Sequence, residues 1–250
     1  MKKILLSVLF MLIAAGGAHA QTGQKPSGKE LLLKIDENFT SKNRIIVSRM
    51  VVHGRRRSRT MEARSWIRGS EEAFTEYLSP AREKGTKMLK LGDELWTYSP
   101  STDRIIRISG HMLRQSVMGS DLSYEDMMED IELYKTYDAQ VTGEETVLGR
   151  PCWIVELSAV TTDIAYFSRK LWVDKERYII FKEERFAKSG KLLKTTEVKD
   201  YGLIDGRWVA KHIVFKDVLK RGSGTEFFVD DVEYDAVIPS YVFSKAVLKR

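Results

Sequence analysis

Between residues 44 and 234 the chain is a succession of short runs rich in β-branched and aromatic residues, interrupted by turn signals. The runs are 44–53, 58–68, 71–79, 87–91, 94–98 and 104–108, then 137–144, 151–159, 168–173, 178–186, 192–201, 207–218 and 225–234. Gly149-Arg150-Pro151, Ser189-Gly190, Asp205-Gly206 and Gly222-Ser223-Gly224 separate several of them, and Asp205-Gly206 suits a type I′ hairpin. Strands that follow one another through short turns form an antiparallel meander. About ten or eleven of them are expected to curl into a barrel or a strongly bent sheet.

The pattern inside the runs says more. Gly92-Asp93 between runs 87–91 and 94–98 predicts a two-residue turn that sets Leu91 against Glu94 and Leu89 against Trp96. One side of that hairpin then shows Leu89, Leu91, Trp96 and Tyr98, and the other Met88, Lys90, Leu95 and Thr97. Trp153, Val155 and Leu157 alternate with Cys152, Ile154, Glu156 and Ser158. Many strands carry a large apolar residue on one face and a charged residue on the other, the pattern of a sheet with one dry face and one wet one.

Two interruptions are helical. Ser27 and Glu30 form a capping box for a helix to about Phe39 with Leu32, Ile35 and Phe39 on one stripe, which has only the sheet to pack against. After Gly110 a short helix is expected around Met112, Leu113, Val117 and Met118. Ser123 and Asp126 cap a second helix bearing Met127, Met128 and Ile131. Met is flexible and polarizable, so four Met within seventeen residues suit either helix packing or a surface that adapts to ligands of imprecise shape.

Residues 1–20 have the charge, apolar stretch and Ala18-His19-Ala20 site of a cleaved signal peptide, leaving 21–250 as one domain without a linker. No Cys stands near the cleavage site, so a soluble periplasmic protein without a lipid anchor is expected. The lone Cys152 reads as a small buried side chain. The net charge of +6 falls to +4 once Lys2 and Lys3 are removed, too mild and too mixed for nucleic acid. The mature histidines, His53, His111 and His212, lack metal-site spacing, and no nucleophile elbow, phosphate loop or dinucleotide fingerprint occurs. Asp121, Glu125, Asp126, Glu129 and Asp130 read as a solvated acidic helix face, and Arg55-Arg56-Arg57-Ser58-Arg59 as an exposed charged turn. No catalytic residue, metal or cofactor is expected.

The exported start, the segment YLSPAREKGTKMLKLGDELWTYSPSTDRIIRIS, the following GSDLSYEDMMED, and RPCWIVEL, KLWVDKERY and DGRWVAKHI together resemble the outer-membrane lipoprotein-sorting family of LolA/LolB-like periplasmic carriers, in its LolA-like branch. The resemblance spans nearly all of the mature chain. It implies a mainly β, α+β fold: an incomplete antiparallel β-barrel with an N-terminal helix and an inserted helical lid, binding an acyl chain inside. Joined to the alternation and the Met cluster, it points to Trp66, Leu89, Leu91, Trp96, Tyr98, Ile106, Met112, Met118, Met127, Met128 and Trp153 as cavity residues. The function implied is a non-enzymatic, monomeric carrier that moves lipoprotein acyl chains or another lipid from an inner-membrane transporter toward an outer-membrane acceptor. The alternative is a periplasmic lipid sensor or transporter accessory. The family's lid arginine has no counterpart fixed by spacing; Arg49 and Arg68 are both possible.

Overall fold

The structure, a computed structural model, describes residues 25–39, 41–54, 57–129, 133–162 and 164–249. The expectations placed on residues 1–20, Arg55, Arg56, Asp130 and Ile131 lie outside these. Helix α1 (Gly28–Phe39) begins at its capping box: Ser27 N donates to Glu30 Oε2 at 3.0 Å and Glu30 N to Ser27 Oγ at 3.2 Å. A Cβ at Gly28 would stand 2.0 Å from the Ala139 carbonyl oxygen, so glycine lets the helix start against a later strand.

Six strands follow: β1 (Asn43–His53), β2 (Ser58–Arg68), β3 (Glu72–Ser79), β4 (Lys87–Leu91), β5 (Glu94–Ser99) and β6 (Arg104–Ile108). The helical insert comes next, with 3-10 turns at Gly110–Arg114 and Val117–Gly119, then α2 (Tyr124–Met128) and α3 (Leu133–Thr136). Seven more strands complete the sheet: β7 (Tyr137–Val147), β8 (Arg150–Ala159), β9 (Ser168–Asp174), β10 (Ile180–Phe186), β11 (Leu192–Ile204), β12 (Arg207–Asp217) and β13 (Thr225–Tyr234). The chain then coils through 3-10 turns at Ser240–Phe243 and Lys245–Lys249.

There are thirteen strands rather than ten or eleven, because each turn signal reverses the chain and no neighbouring runs merge. Gly92 sits at φ 54°, and Asp205 and Gly206 at 47° and 74°, as their hairpins require. All thirteen join one antiparallel sheet in the order β6-β5-β4-β3-β2-β1-β13-β12-β11-β10-β9-β8-β7. The chain enters mid-sheet, runs out to one edge, crosses through the insert to the other edge, and returns to pair β13 with β1. Since β6 and β7 do not pair, the sheet stays open rather than closing into a barrel.

Register fixes which side chains share a face. Met50 lies opposite both Met61 and Phe227, Ala63 opposite Tyr77, Thr75 opposite Met88, and Leu95 opposite both Lys90 and Ile108. This inner face carries the insert over β1–β6 and α1 over β7–β9, where Leu31, Leu32 and Ile35 pack on Val155, Leu157, Leu171 and Val173. The outer face is covered too. Ile238, Val242, Phe243 and Leu248 of the C-terminal coil pack over Trp66, Phe74, Leu89 and Trp96, so β2–β5 are dry on both sides. The β4–β5 hairpin reads as partly apolar on both sides, in keeping with this, but the general expectation of one dry and one wet face fails for β2–β5 because alternation cannot report a cover supplied by distant chain.

Two local expectations are also corrected. Met112 to Met118 do not form one helix: Gly110 and Gly119 bound two 3-10 turns, and Met118 itself sits at φ 52°. The acidic cluster is not a solvated face. The Asp126 side chain is 3% exposed and Asp121 12%, because α2 is a single turn pressed onto the sheet.

Candidate functional site

Where the insert lies on the inner face, it encloses a cavity of about 50 Å³. Met50, Met61, Ala63, Tyr77 and Phe227 form its floor, Val117, Leu122 and Met127 its roof, and Ser48, Ser65 and Thr75 its polar end. Ser65 and Thr75 satisfy each other at 2.8 Å, so the lining makes little demand for water. Burial pushes the Tyr77 phenol up, keeping it neutral. Met88, Met112, Met118 and Met128 belong to the same apolar cluster. All seven Met of the described residues, out of nine in the chain, therefore lie on this cavity or in the apolar cluster around it, with Met50, Met61 and Met127 lining it.

Polar groups tie the insert down around that apolar centre. The Arg59 guanidinium donates to the Met118 carbonyl, so Arg59 is a tether rather than part of an exposed turn. Lys90 Nζ donates to Met128 O at 3.1 Å and to Ser70 O at 2.9 Å. Thr225 Oγ1 donates to Asp121 Oδ2 at 2.8 Å, and Asp217 N to Asp121 Oδ1 at 3.0 Å. Lys220 reaches Ser116 and the Ser120 carbonyl.

The strongest tether is a buried charge cluster. Ser123 and Asp126 make the capping box of α2, with Ser123 N donating to Asp126 Oδ2 at 2.6 Å. The same carboxylate accepts from Tyr166 Oη at 2.6 Å, from Arg185 Nη1 at 3.2 Å and from Lys194 Nζ. Beneath it Glu183 accepts from Arg169 and Arg185, each at 2.9 Å, while Glu129 lies 3.0 Å from Arg185 and pairs with Arg169. Burial pushes the Asp126 carboxyl up, but Lys194 and Arg185 outweigh it and hold the group below its ordinary value. Burial acts on Glu183 in the same sense, and Arg185 and Arg169 again prevail. Burial and the Asp126 charge push the Tyr166 phenol up, so it remains a donor.

Two open pockets flank the cluster. One, of about 400 Å³, lies against Ser123, Tyr166, Lys194, Leu219 and Lys220; the other, of about 630 Å³, against Leu113, Met128, Tyr137 and Tyr166. Among the described residues no group of three or more His, Cys, Asp and Glu is placed to hold a metal ion.

The residues singled out from sequence separate into four places. Met112, Met118, Met127 and Met128 meet on the inner face, Met127 lining the cavity while 41% exposed. Trp66, Leu89, Leu91, Trp96 and Tyr98 lie together on the outer face under the C-terminal coil. Ile106 is exposed on edge strand β6, and Trp153 packs in the α1 cluster with the Lys175 ammonium 3.7 Å from its ring centroid. The floor residues Met50, Met61, Ala63, Tyr77 and Phe227 were not singled out. Their signal was the parity of Met61, Ala63 and Ser65 in β2, which competes with Trp66 on the other parity. Arg169, Glu183, Arg185 and Lys194 sit at alternating positions that read as a wet face, and only the fold reveals the buried partners.

No curated protein matches the chain in sequence. Among solved structures, a DUF1329 family protein from Desulfovibrio piger is 25% identical with a TM-score of 0.80, over 88% of this chain and 97% of that one. A putative outer membrane lipoprotein-sorting protein domain from Vibrio parahaemolyticus is 24% identical with a TM-score of 0.77, over 89% and 98% of the two chains. A LolA superfamily protein from Nitrosomonas europaea is 23% identical with a TM-score of 0.74, over 89% and 100%. A family model described as an uncharacterized protein matches residues 69–250. That match takes in more than half of the chain, and the protein belongs to this family of uncharacterized proteins, whose fold is the one shared by the three solved structures.

Proposed function

We propose that the protein is a non-enzymatic periplasmic carrier. It shelters an acyl chain, of a lipoprotein or another lipid, between the inner face and the insert, and moves it from the inner toward the outer membrane. The gathering of six Met in the apolar cluster around one cavity, which Met50, Met61 and Met127 line, carries this reading, because a Met-rich surface accommodates chains of varied shape. One fold neighbour is described as a putative outer membrane lipoprotein-sorting protein domain, which points the same way.

At about 50 Å³ the cavity is far smaller than the roughly 300–1,000 Å³ usual for ligand pockets, so loading requires the insert to lift as a lid. Each methylene taken from water contributes about 0.8 kcal/mol, and a long chain on the order of 10 kcal/mol, enough to offset the loss of several tethers. Liganded and empty protein then differ in lid position, which is the coupling a carrier needs.

The test is binding of a fluorescent acyl probe to wild type and to Ala63→Phe, which fills the floor. Saturable binding by wild type and its loss in a folded variant are expected; wild-type protein that ignores the probe, and comes empty from its own periplasm by native mass spectrometry, refutes carriage. The free edge of β6, with Ile105 38% and Ile106 42% exposed, favours a second reading, a sensor or transporter accessory that pairs with another protein. A stable complex lost on substituting Ile106, with no lipid transfer between vesicles, distinguishes it.

A further inference from the structure

Arg169, Arg185 and Lys194 stand directly opposite one another across β9, β10 and β11, all on the inner face. Adjacent strands lie about 4.8 Å apart, and like charges placed opposite one another destabilise a sheet. A row of three cations in a buried setting therefore needs anions. Glu183 is the sheet's own counterion within it. Asp217, opposite Lys194 on β12, ends the row, but it accepts from Leu219 N at 3.0 Å and lies 4.0 Å from Lys220. The remaining compensation comes from the insert, through Asp126 and Glu129.

This has a consequence for any opening of the insert. When α2 lifts, Asp126, Glu129 and Glu125 leave with it, and the sheet keeps Arg169, Arg185, Lys194 and Lys220 against Glu183 and Asp217. The excess is two positive charges at the place Asp126 vacates. The donors left there, the Arg185 guanidinium, the Lys194 ammonium and the Tyr166 hydroxyl, are those that phosphate or carboxylate oxygens take. The 400 Å³ pocket opens onto this seat: Lys194, Tyr166 and Ser123, all partners of Asp126, line it. Its other charged liners, Arg114, Lys220, Asp121, Glu125 and Asp217, leave its rim near neutrality. Leu122 lines both this pocket and the Met cavity, so one side chain separates a seat for an anion from a seat for an alkyl chain.

We propose that the site formed by Arg185, Lys194 and Tyr166 receives the anionic headgroup, phosphate or carboxylate, of the carried amphiphile, and that the Asp126 carboxylate occupies it as an internal stand-in while the lid is shut. Ligand and Asp126 compete for the same donors, so the headgroup itself promotes opening while the chain passes Leu122 into the cavity. This rests on the carrier reading and narrows its cargo to anionic amphiphiles.

The experiment compares cis-parinaric acid with its methyl ester, by fluorescence, on mature wild type, Lys194→Gln and Lys194→Arg. The acid is expected to bind wild type about tenfold or more tighter than the ester, the scale of one charge-assisted hydrogen bond. Lys194→Gln should remove most of that preference, bringing acid and ester close together, with the ester bound at least as tightly as by wild type because a tether of the insert is also lost, and Lys194→Arg should keep the preference. Inorganic phosphate should fail to displace the acid, as expected of a headgroup held by its chain. Equal affinity for acid and ester, an equal loss of both in Lys194→Gln, or displacement by phosphate alone overturns the headgroup site while leaving carriage intact. Failure of both probes on wild type overturns the carrier reading and this site with it.

Discussion

Replacing Asp126 by Asn separates the charge of this residue from its shape. The amide's one oxygen can accept from Ser123 N, keeping the α2 cap, while its NH2 group takes the place of the oxygen that accepted from Tyr166, whose hydroxyl oxygen can accept from it in turn, so one cross-link survives with its direction reversed. What is lost is the charge facing Lys194 and Arg185, at a side chain only 3% exposed. Breaking a buried pair costs about 3–5 kcal/mol, and the retained neutral hydrogen bonds lower the expectation to about 2–4 kcal/mol. That is a large part of the roughly 5–15 kcal/mol available to a domain of this kind. Urea unfolding at pH 7 should show the loss as a lower midpoint. If the insert detaches before the sheet melts, hydrogen exchange should show it as deprotection confined to α2 and its partners on β9–β11. The pH dependence has a definite sign. The folded carboxyl titrates below its ordinary value, so its contribution is complete above the unfolded pKa of about 3.9 and is lost as pH falls through the lower folded value. Wild type and Asp126→Asn should therefore differ by a constant amount from pH 7 down to about 4.5 and converge in stronger acid. Equal stability at pH 7 by both measurements, or a gap that persists to the most acidic conditions where protein remains folded, would refute the assignment of Asp126 as the charged latch.

Phe243→Ala should cost about 3–5 kcal/mol in urea unfolding, since the ring is 6% exposed among outer-face residues and carries the Arg68 guanidinium 4.4 Å from its centroid. A loss below about 1 kcal/mol would mean that the C-terminal coil is not a fixed part of the fold. Cys152 is fully buried and its thiol is pushed up to about 11, chiefly by burial, so at pH 7.5 a disulfide reagent should modify it only as the protein opens. Labelling as fast as that of a free peptide thiol would contradict this placement.

What was legible in the sequence was local. Both capping boxes, Ser27 with Glu30 and Ser123 with Asp126, join residues three apart, and the Gly92-Asp93 and Asp205-Gly206 hairpins depend on two residues' backbone preferences. The Leu89 with Trp96 and Leu91 with Glu94 pairings followed from turn length alone. What escaped depends on chain far away. β13 pairs with β1 across nearly the whole chain, the coil after β13 covers strands it does not adjoin, and Asp126 meets Arg185 and Lys194 at separations of 59 and 68 residues. Glu183 and Arg185 therefore read as polar positions on a wet strand, although they form the buried floor of a charge cluster.

The choice of face in β2–β5 shows where chemistry adds to pattern. Alternation assigns parity but not which parity looks inward, and here both parities are apolar. Side-chain character separates them. The outer parity carries Trp66, Phe74 and Trp96, rigid rings with few rotamers, and a segment of the same chain is packed permanently over them. The inner parity carries Met61, Ala63, Thr75 and Met88 beneath an insert that contributes four more Met, joined to the sheet by replaceable polar tethers. Rigid rings gain from one fixed partner, whereas Met loses little when the surface opposite it changes. On the proposed carrier reading, the distribution of Trp and Met between the two faces separates a cover made once, during folding, from a cover that can be exchanged for a ligand.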